Sequence, residues 1–218
     1  MFIGHFGAGL AGKKAGKKIS LGTLFMAAQW LDLIWPIFVL LNIGIVKINP
    51  GDTKTTPLNF VSYPFSHSLL FVLIWAVLFG GVYYLVKRNL KYSMLLGLLV
   101  VSHWILDLFV HRPDLPLYPG GALQGFGLWN YPLIEIPLEI IIFIIGIYLY
   151  VSSTKAKDKT GTFAFWGLIV FLTVIFIMNL VGPPPPDTNA IGFAGLGMWL
   201  IVIWGYWADK HRESNIKS

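Results

Sequence analysis

Between His67 and Lys87 the chain carries no charged residue, and apolar runs of similar kind recur along its length. About twenty such residues, rising 1.5 Å each, cross the roughly 30 Å of a bilayer's hydrocarbon. In that medium a single segment satisfies its backbone only as a helix. Six spans are predicted: Leu21 to Val46, Tyr63 to Val86, Ser93 to His111, Glu135 to Val151, Phe163 to Val181, and Ile191 to Trp207. The fold class that follows is all-α, a polytopic membrane helical bundle. With 56% hydrophobic and 12% charged residues, the chain of 218 leaves no room for a second folded domain. Residues 1–218 are therefore read as one domain, with an N-terminal segment (1–18), the bundle (19–208) and a polar tail (209–218).

The opening segment is rich in glycine and ends in Lys13, Lys14, Lys17 and Lys18. Its apolar part precedes the lysines, the reverse of a signal peptide, so it is expected to stay in the mature protein. Glycine weakens helices, which favours a short interfacial or re-entrant segment. His5 is then either an incidental terminal histidine or a ligand that this segment delivers.

The third span carries the most chemistry. His103, Asp107 and His111 fall at i, i+4 and i+8 and line one helix face. An aspartate at bilayer depth costs roughly 2.5–3.5 kcal/mol on insertion scales, so it is expected to face the bundle interior with a partner. Histidine and carboxylate one turn apart also suit a divalent metal. Three other spans contribute polar residues. Asp32 lies in the first, one turn before Pro36, where a kink is expected. His67 follows Ser66, which reads as a helix N-cap placing His67 in the first turn of the second span. Glu135 and Glu139 open the fourth, as acid/base groups or as acids favoured by the helix dipole. The segments 47–64 and 112–131 read as loops, the second seated at the membrane interface with Trp129 and Tyr131. With no cysteine, a metal site here must be built from His, Asp and Glu.

These residues resemble a family of inner-membrane metal-dependent hydrolases of bacteria and archaea, including the group described as LexA-regulated. The likeness covers about the first 115 residues and rests on His5, Asp32, the pair Ser66-His67, and His103 with Asp107. It implies that His5, Asp32, His67, His103 and Asp107 are metal ligands, with zinc the expected ion, and that the protein resides in the cytoplasmic membrane. Relatives carry Pro-Asp-x-Asp near the first acid, whereas Gln29-Trp30-Leu31-Asp32 offers one carboxylate, which weighs against a second metal.

Two functions of different class fit. In a hydrolase, a His/Asp-bound divalent ion lowers the pKa of a water to near 7 for attack on a phosphoester or related bond, with Glu139 or His111 as proton acceptor. A lipid or lipid-linked substrate would suit the setting. In a transporter or channel, the same residues would relay protons or pass metal ions; a bundle merely tied together by polar residues is a third reading. The net charge of +6 lies in short clusters beside the spans, which points to the lipid bilayer as partner and away from nucleic acid. Thirteen of the sixteen Lys and Arg fall on the N-terminal side of a six-span topology, so both termini are expected in the cytoplasm. Reporter fusions after Lys91 and after the tail should behave as cytoplasmic, and one between Asn49 and Thr55 as external; the reverse pattern would overturn the orientation.

Overall fold

In a computed structural model, which describes residues 1 to 215, the first element is a helix too short to cross a bilayer. This helix, α1 (Ile3–Ala15), lies inside the bundle with Ile3, Phe6 and Leu10 buried. The chain reverses over residues 16–20, and Ser20 caps α2 (Leu21–Ala28) by accepting from the Thr23 N–H. Helix α3 (Trp30–Leu40) continues at an angle of 59°. An antiparallel ribbon follows, β1 (Ile45–Ile48) with β2 (Leu58–Ser62), and then one short helical turn, α4 (Pro64–His67).

The long helices come next. Ser68 caps α5 (Leu69–Lys87), and Asn89 caps α6 (Leu90–Val110). The connection to α7 (Pro132–Ser153) holds a small antiparallel pair, β3 (Leu115–Pro116) with β4 (Leu123–Gln124), and a 3₁₀ turn at Leu128–Asn130. Strand β5 (Thr154–Ala156) leads to α8 (Lys159–Val181), which Asp158 caps. Asp187 caps α9 (Thr188–Leu196); α10 (Met198–Lys210) completes that span, and β6 (Arg212–Ser214) returns to pair with β5. Among the described residues, five helical runs are long and apolar enough to cross a membrane, and the bent pair α2–α3 passes the same test as a unit. The chain is thus a polytopic helical bundle.

Apolar burial drives helices together weakly when the solvent is itself hydrocarbon, so close backbone packing at small residues carries more of the association. Helix α1 runs along α7 with α2 and α6 on its other sides. A Cβ at Gly146 would sit 2.3 Å from the Gly7 carbonyl oxygen, and one at Gly7 would sit 2.7 Å from that of Ile142. The glycines that lower helix propensity here admit α1 to the bundle, and packing overrides propensity.

Helix α1 is also tied down at its far end. Buried Lys13 donates to Asp209 Oδ2 at 2.7 Å and to the Ile19 carbonyl at 2.8 Å, while the Tyr150 hydroxyl donates to Asp209 Oδ1 at 2.7 Å. Nearby, the Arg212 guanidinium lies over the rings of Phe165 and Tyr150. Twelve of the described Lys and Arg residues gather at this end of the helices, and Lys47, Lys54 and Arg112 lie at the other.

Several expectations need correction. The bend in the first span lies at Gln29, not at Pro36. Pro36 sits within α3, packed on Gly195, while at the break a side chain from another helix takes the Ala28 carbonyl, a recognised cause of bending. Ser66 is not the cap of the second span: Ser68 is, and His67 ends α4 one residue before it. The segments 47–64 and 112–131 contain short strands as well as turns. Met1 lies beside Asp107 inside the bundle, so it is residues 13–18, not the first residue, that reach the basic end. Residues 216–218 of the expected polar tail lie outside the described residues.

Replacing Gly146 by Leu should push α1 off α7 and lower the thermal midpoint in detergent, whereas Gly81→Ala, with open space around it, should leave the midpoint unchanged. Equal midpoints for the two variants would show that the α1–α7 crossing is not tight.

Candidate metal centre

Asp107 is the buried hub of the polar residues, and its surroundings come from three segments. From α6 itself, His103 Nε2 lies 3.2 Å from Oδ2, and His111 Nε2, just past the helix end, lies 3.9 Å from the same oxygen. From α1, His5 Nε2 lies 2.9 Å from Oδ1 and stacks on the His103 ring with centroids 3.6 Å apart. The Met1 amino group donates to Oδ1 at 2.6 Å. From the end of α4, His67 Nε2 approaches Oδ2 to 3.8 Å.

Asp32 of α3 completes the cluster. Its Oδ1 lies 3.4 Å from His67 Nε2, and its Oδ2 lies 3.6 Å from His103 Nε2. The Nε2 atoms of His67 and His103 therefore each lie 3.2–3.8 Å from an oxygen of Asp32 and from one of Asp107. Atoms each about 2.0–2.2 Å from one zinc ion lie roughly 3–4 Å from one another, and these imidazole–carboxylate separations fall in that range. Two triads that share His103, namely His5–His103–Asp107 and Asp32–His67–His103, each bring one ligand atom per residue within 4.8 Å of the others.

The hydrogen bonds behind the histidines decide whether their ring nitrogens can bind. His103 Nδ1 donates to the Ala28 carbonyl at 2.8 Å, the same carbonyl left free by the bend at Gln29. With the proton on Nδ1, the neutral ring turns a lone pair on Nε2 toward the cluster, and that nitrogen has no hydrogen-bond partner among the described residues. His67 repeats the arrangement: Nδ1 donates to Ser66 Oγ at 2.9 Å, and Ser66 donates onward to the Tyr63 carbonyl. An orphaned, buried imidazole nitrogen with its tautomer fixed from behind is what a metal ligand requires. A merely structural histidine would have both nitrogens paired.

His5 stands differently. Its Nε2 is engaged with Asp107 and its Nδ1 is unpartnered, so it either aligns that carboxylate or joins it as a ligand through the same triad. The two residues expected to move protons also have distinct tasks. Glu139 accepts from the backbone N–H groups of Phe2 (2.9 Å) and Gly4 (3.1 Å) and so caps the start of α1. His111 Nδ1 donates to Asp114 Oδ1 at 2.8 Å, with the Tyr63 hydroxyl donating to the same oxygen at 2.9 Å, which leaves Nε2 facing Asp107. Asp114 itself is held by Arg112, which also pairs with Asp52.

Sequence reading passed over Asp114 and Tyr63, although the His-x-x-Asp spacing across the helix end carried a signal for the first. Nothing in the sequence marks the Ala28 carbonyl. Above the cluster lies a cavity of about 320 Å³. Asp32, His67, Asp107 and His111 reach it from the base, and Trp35, Phe60, Trp129 and Phe176 form apolar walls. Asp32 is the most open of the cluster carboxylates, with 27% of its side chain exposed against 3% for Asp107.

Fold and site together define a polytopic membrane protein with a His/Asp cluster buried near one end of its bundle. The chain belongs to the YdjM inner membrane protein family, whose model matches residues 53–182, more than half its length. The matched segment includes His67, His103, Asp107 and His111, and stops short of His5 and Asp32. No curated protein and no solved structure matches the chain.

Carbonyl, hydroxyl or carboxylate partners behind a ligating histidine typically contribute about 10–100-fold to metal affinity. For the metal site proposed below, Ser66→Ala should therefore weaken zinc binding by roughly that factor while leaving the helical circular dichroism intact. An unchanged affinity would remove Ser66 from the set of orienting groups.

Proposed function

We propose that the protein is a metal-dependent hydrolase embedded in the inner membrane, with its basic end in the cytoplasm and its cavity toward the outer half of the bilayer. The observation that carries this reading is the triad Asp32–His67–His103, with Asp107 3.2 Å from His103 and 3.8 Å from His67 and with both imidazoles fixed by hydrogen bonds from behind. Two imidazoles and two carboxylates suit zinc. When bound, such an ion supplies a Lewis acid and lowers the pKa of a water to near 7.

The chain's own residues have the remaining tasks. Asp32 offers the cluster's open side to the cavity. His111 stands at the cavity wall as proton acceptor, with Asp114 fixing its ring as the third member of a catalytic triad fixes a histidine. Asp114 is thus a positioning residue. A phosphoester or related bond is the reaction class, and a lipid or lipid-linked molecule is the substrate class that apolar walls above a polar base suit.

Ion passage has less support. Phe6, Leu10, Leu24 and Phe25, all fully buried, fill the bundle on the basic side of the cluster, where a conducting path would need polar groups or water.

Elemental analysis of the purified protein should find zinc or a similar ion near one per chain, and His103→Ala should abolish it. His111→Gln should keep the metal and lower kcat on a phosphoester by roughly 10²–10⁴-fold, the usual contribution of a general base. Wild-type protein that holds no metal and fails to rebind zinc would sink the hydrolase reading.

A further inference from the structure

Helices α7 and α8 are joined through β5 at the basic end and then take different partners. Helix α7 packs along α1 and α8 packs along α10, while α7 and α8 meet near the basic end, where the Tyr150 and Phe165 rings stack 4.7 Å apart. The cavity occupies the gap between them at the far end. Glu135 and Glu139 line it from α7, and Phe176, Asn179 and Leu180 line it from α8. These residues lie one to seven positions from the helix ends at Pro132 and Val181, hence about 2–10 Å inside them. The headgroup layer on each side of a bilayer is about 5–8 Å thick, so the gap lies at the depth where lipid headgroups give way to acyl chains.

We infer that this gap is a lateral portal through which a membrane phospholipid brings its phosphate to the His/Asp cluster while an acyl chain remains in the bilayer. The chemistry is graded to match. The base of the cavity is polar, its walls are Trp35, Phe60, Trp129, Phe176 and Met198, and one side is lined by two spans, α7 and α8. Toward the aqueous end the cavity is lined by Thr55–Thr56–Pro57 and Pro184, residues it shares with a smaller hollow that Pro50, Thr53 and Lys54 also line. A headgroup fragment released at the cluster has that route to water, while the apolar fragment returns sideways to the membrane. As a statement about substrate this rests on the hydrolase reading; as a statement about lipid occupancy it does not.

The test uses the full chain in vesicles of phosphatidylethanolamine and phosphatidylglycerol, with a fraction of the phosphatidylglycerol carrying a diazirine in one acyl chain. After photolysis and peptide mapping, adducts are expected on the cavity wall at Phe176 and Trp35 as well as on outward-facing residues such as Leu73 and Leu133. Asn179→Trp and Leu180→Trp, which narrow the gap, should each reduce the cavity adducts by roughly tenfold, equivalent to about 1.4 kcal/mol of binding, and leave those at Leu73 and Leu133 unchanged. His103→Ala should keep the cavity adducts while losing the metal. Adducts confined to outward-facing residues in the wild type, or cavity adducts indifferent to both tryptophans, would overturn the portal. Retained cavity adducts in a wild type that binds no metal would leave the portal standing and remove the hydrolase.

Discussion

A carboxylate at bilayer depth is tolerated only with partners, and Asp107 collects them from nearly every element around it. With 2% of its surface exposed, it meets the Met1 amino group, His5, His103, His67 and His111 within 4 Å. Desolvating an ion costs several kcal/mol even after relaxation, more than any one of these contacts returns. The helix placements therefore answer to this one group. Helix α1 inserts beside it, α4 turns His67 toward it, and α6 carries two histidines one turn on either side.

Inserting α1 creates a problem of its own. A helix that begins inside a membrane protein exposes N–H groups that have no intrahelical acceptor and no water nearby. Glu139 resolves it by accepting from two of them, Phe2 and Gly4, and is itself one turn along α7 from Glu135. The acid whose position in the sequence suggested a catalyst is thus one that holds His5 in place. At the other end of α1, the Lys13–Asp209–Tyr150 network gives the same helix a second anchor. Glycines along its length let it lie against α7 between those two points.

Much of the fold was legible in the sequence because hydropathy and length act locally: the spans from α5 onward begin and end within a few residues of where apolar runs meet Asn89, Pro132, Asp158 and Asp187. The four-residue spacing of His103, Asp107 and His111 likewise assigns them to a shared helix face by periodicity alone. What was not legible depends on a partner distant in sequence. A proline is the stronger local signal for a bend, yet the bend falls at Gln29, where His103, 75 residues away, bonds the Ala28 carbonyl. His67 was expected in the first turn of the second span; it ends a short helix instead, and Ser66 fixes its tautomer. Asp114 lies beyond the end of α6, so helical periodicity could not pair it with His111, although they are three residues apart.

The bend and the site are one feature seen from two sides. Straight helix from Leu21 to Leu40 would pair the Ala28 carbonyl with the Asp32 N–H, and the carbonyl would then be poorly placed for His103. Breaking the ladder there frees an acceptor that holds the proton of neutral His103 on Nδ1 and not on Nε2, and it re-aims the segment carrying Asp32 so that its carboxylate meets the nitrogen thus exposed, 3.6 Å away. A backbone defect in a membrane helix survives when a neighbouring side chain satisfies the freed group. Here the satisfying side chain is itself a member of the cluster, so the irregularity of the first span and the availability of the His103 lone pair require each other.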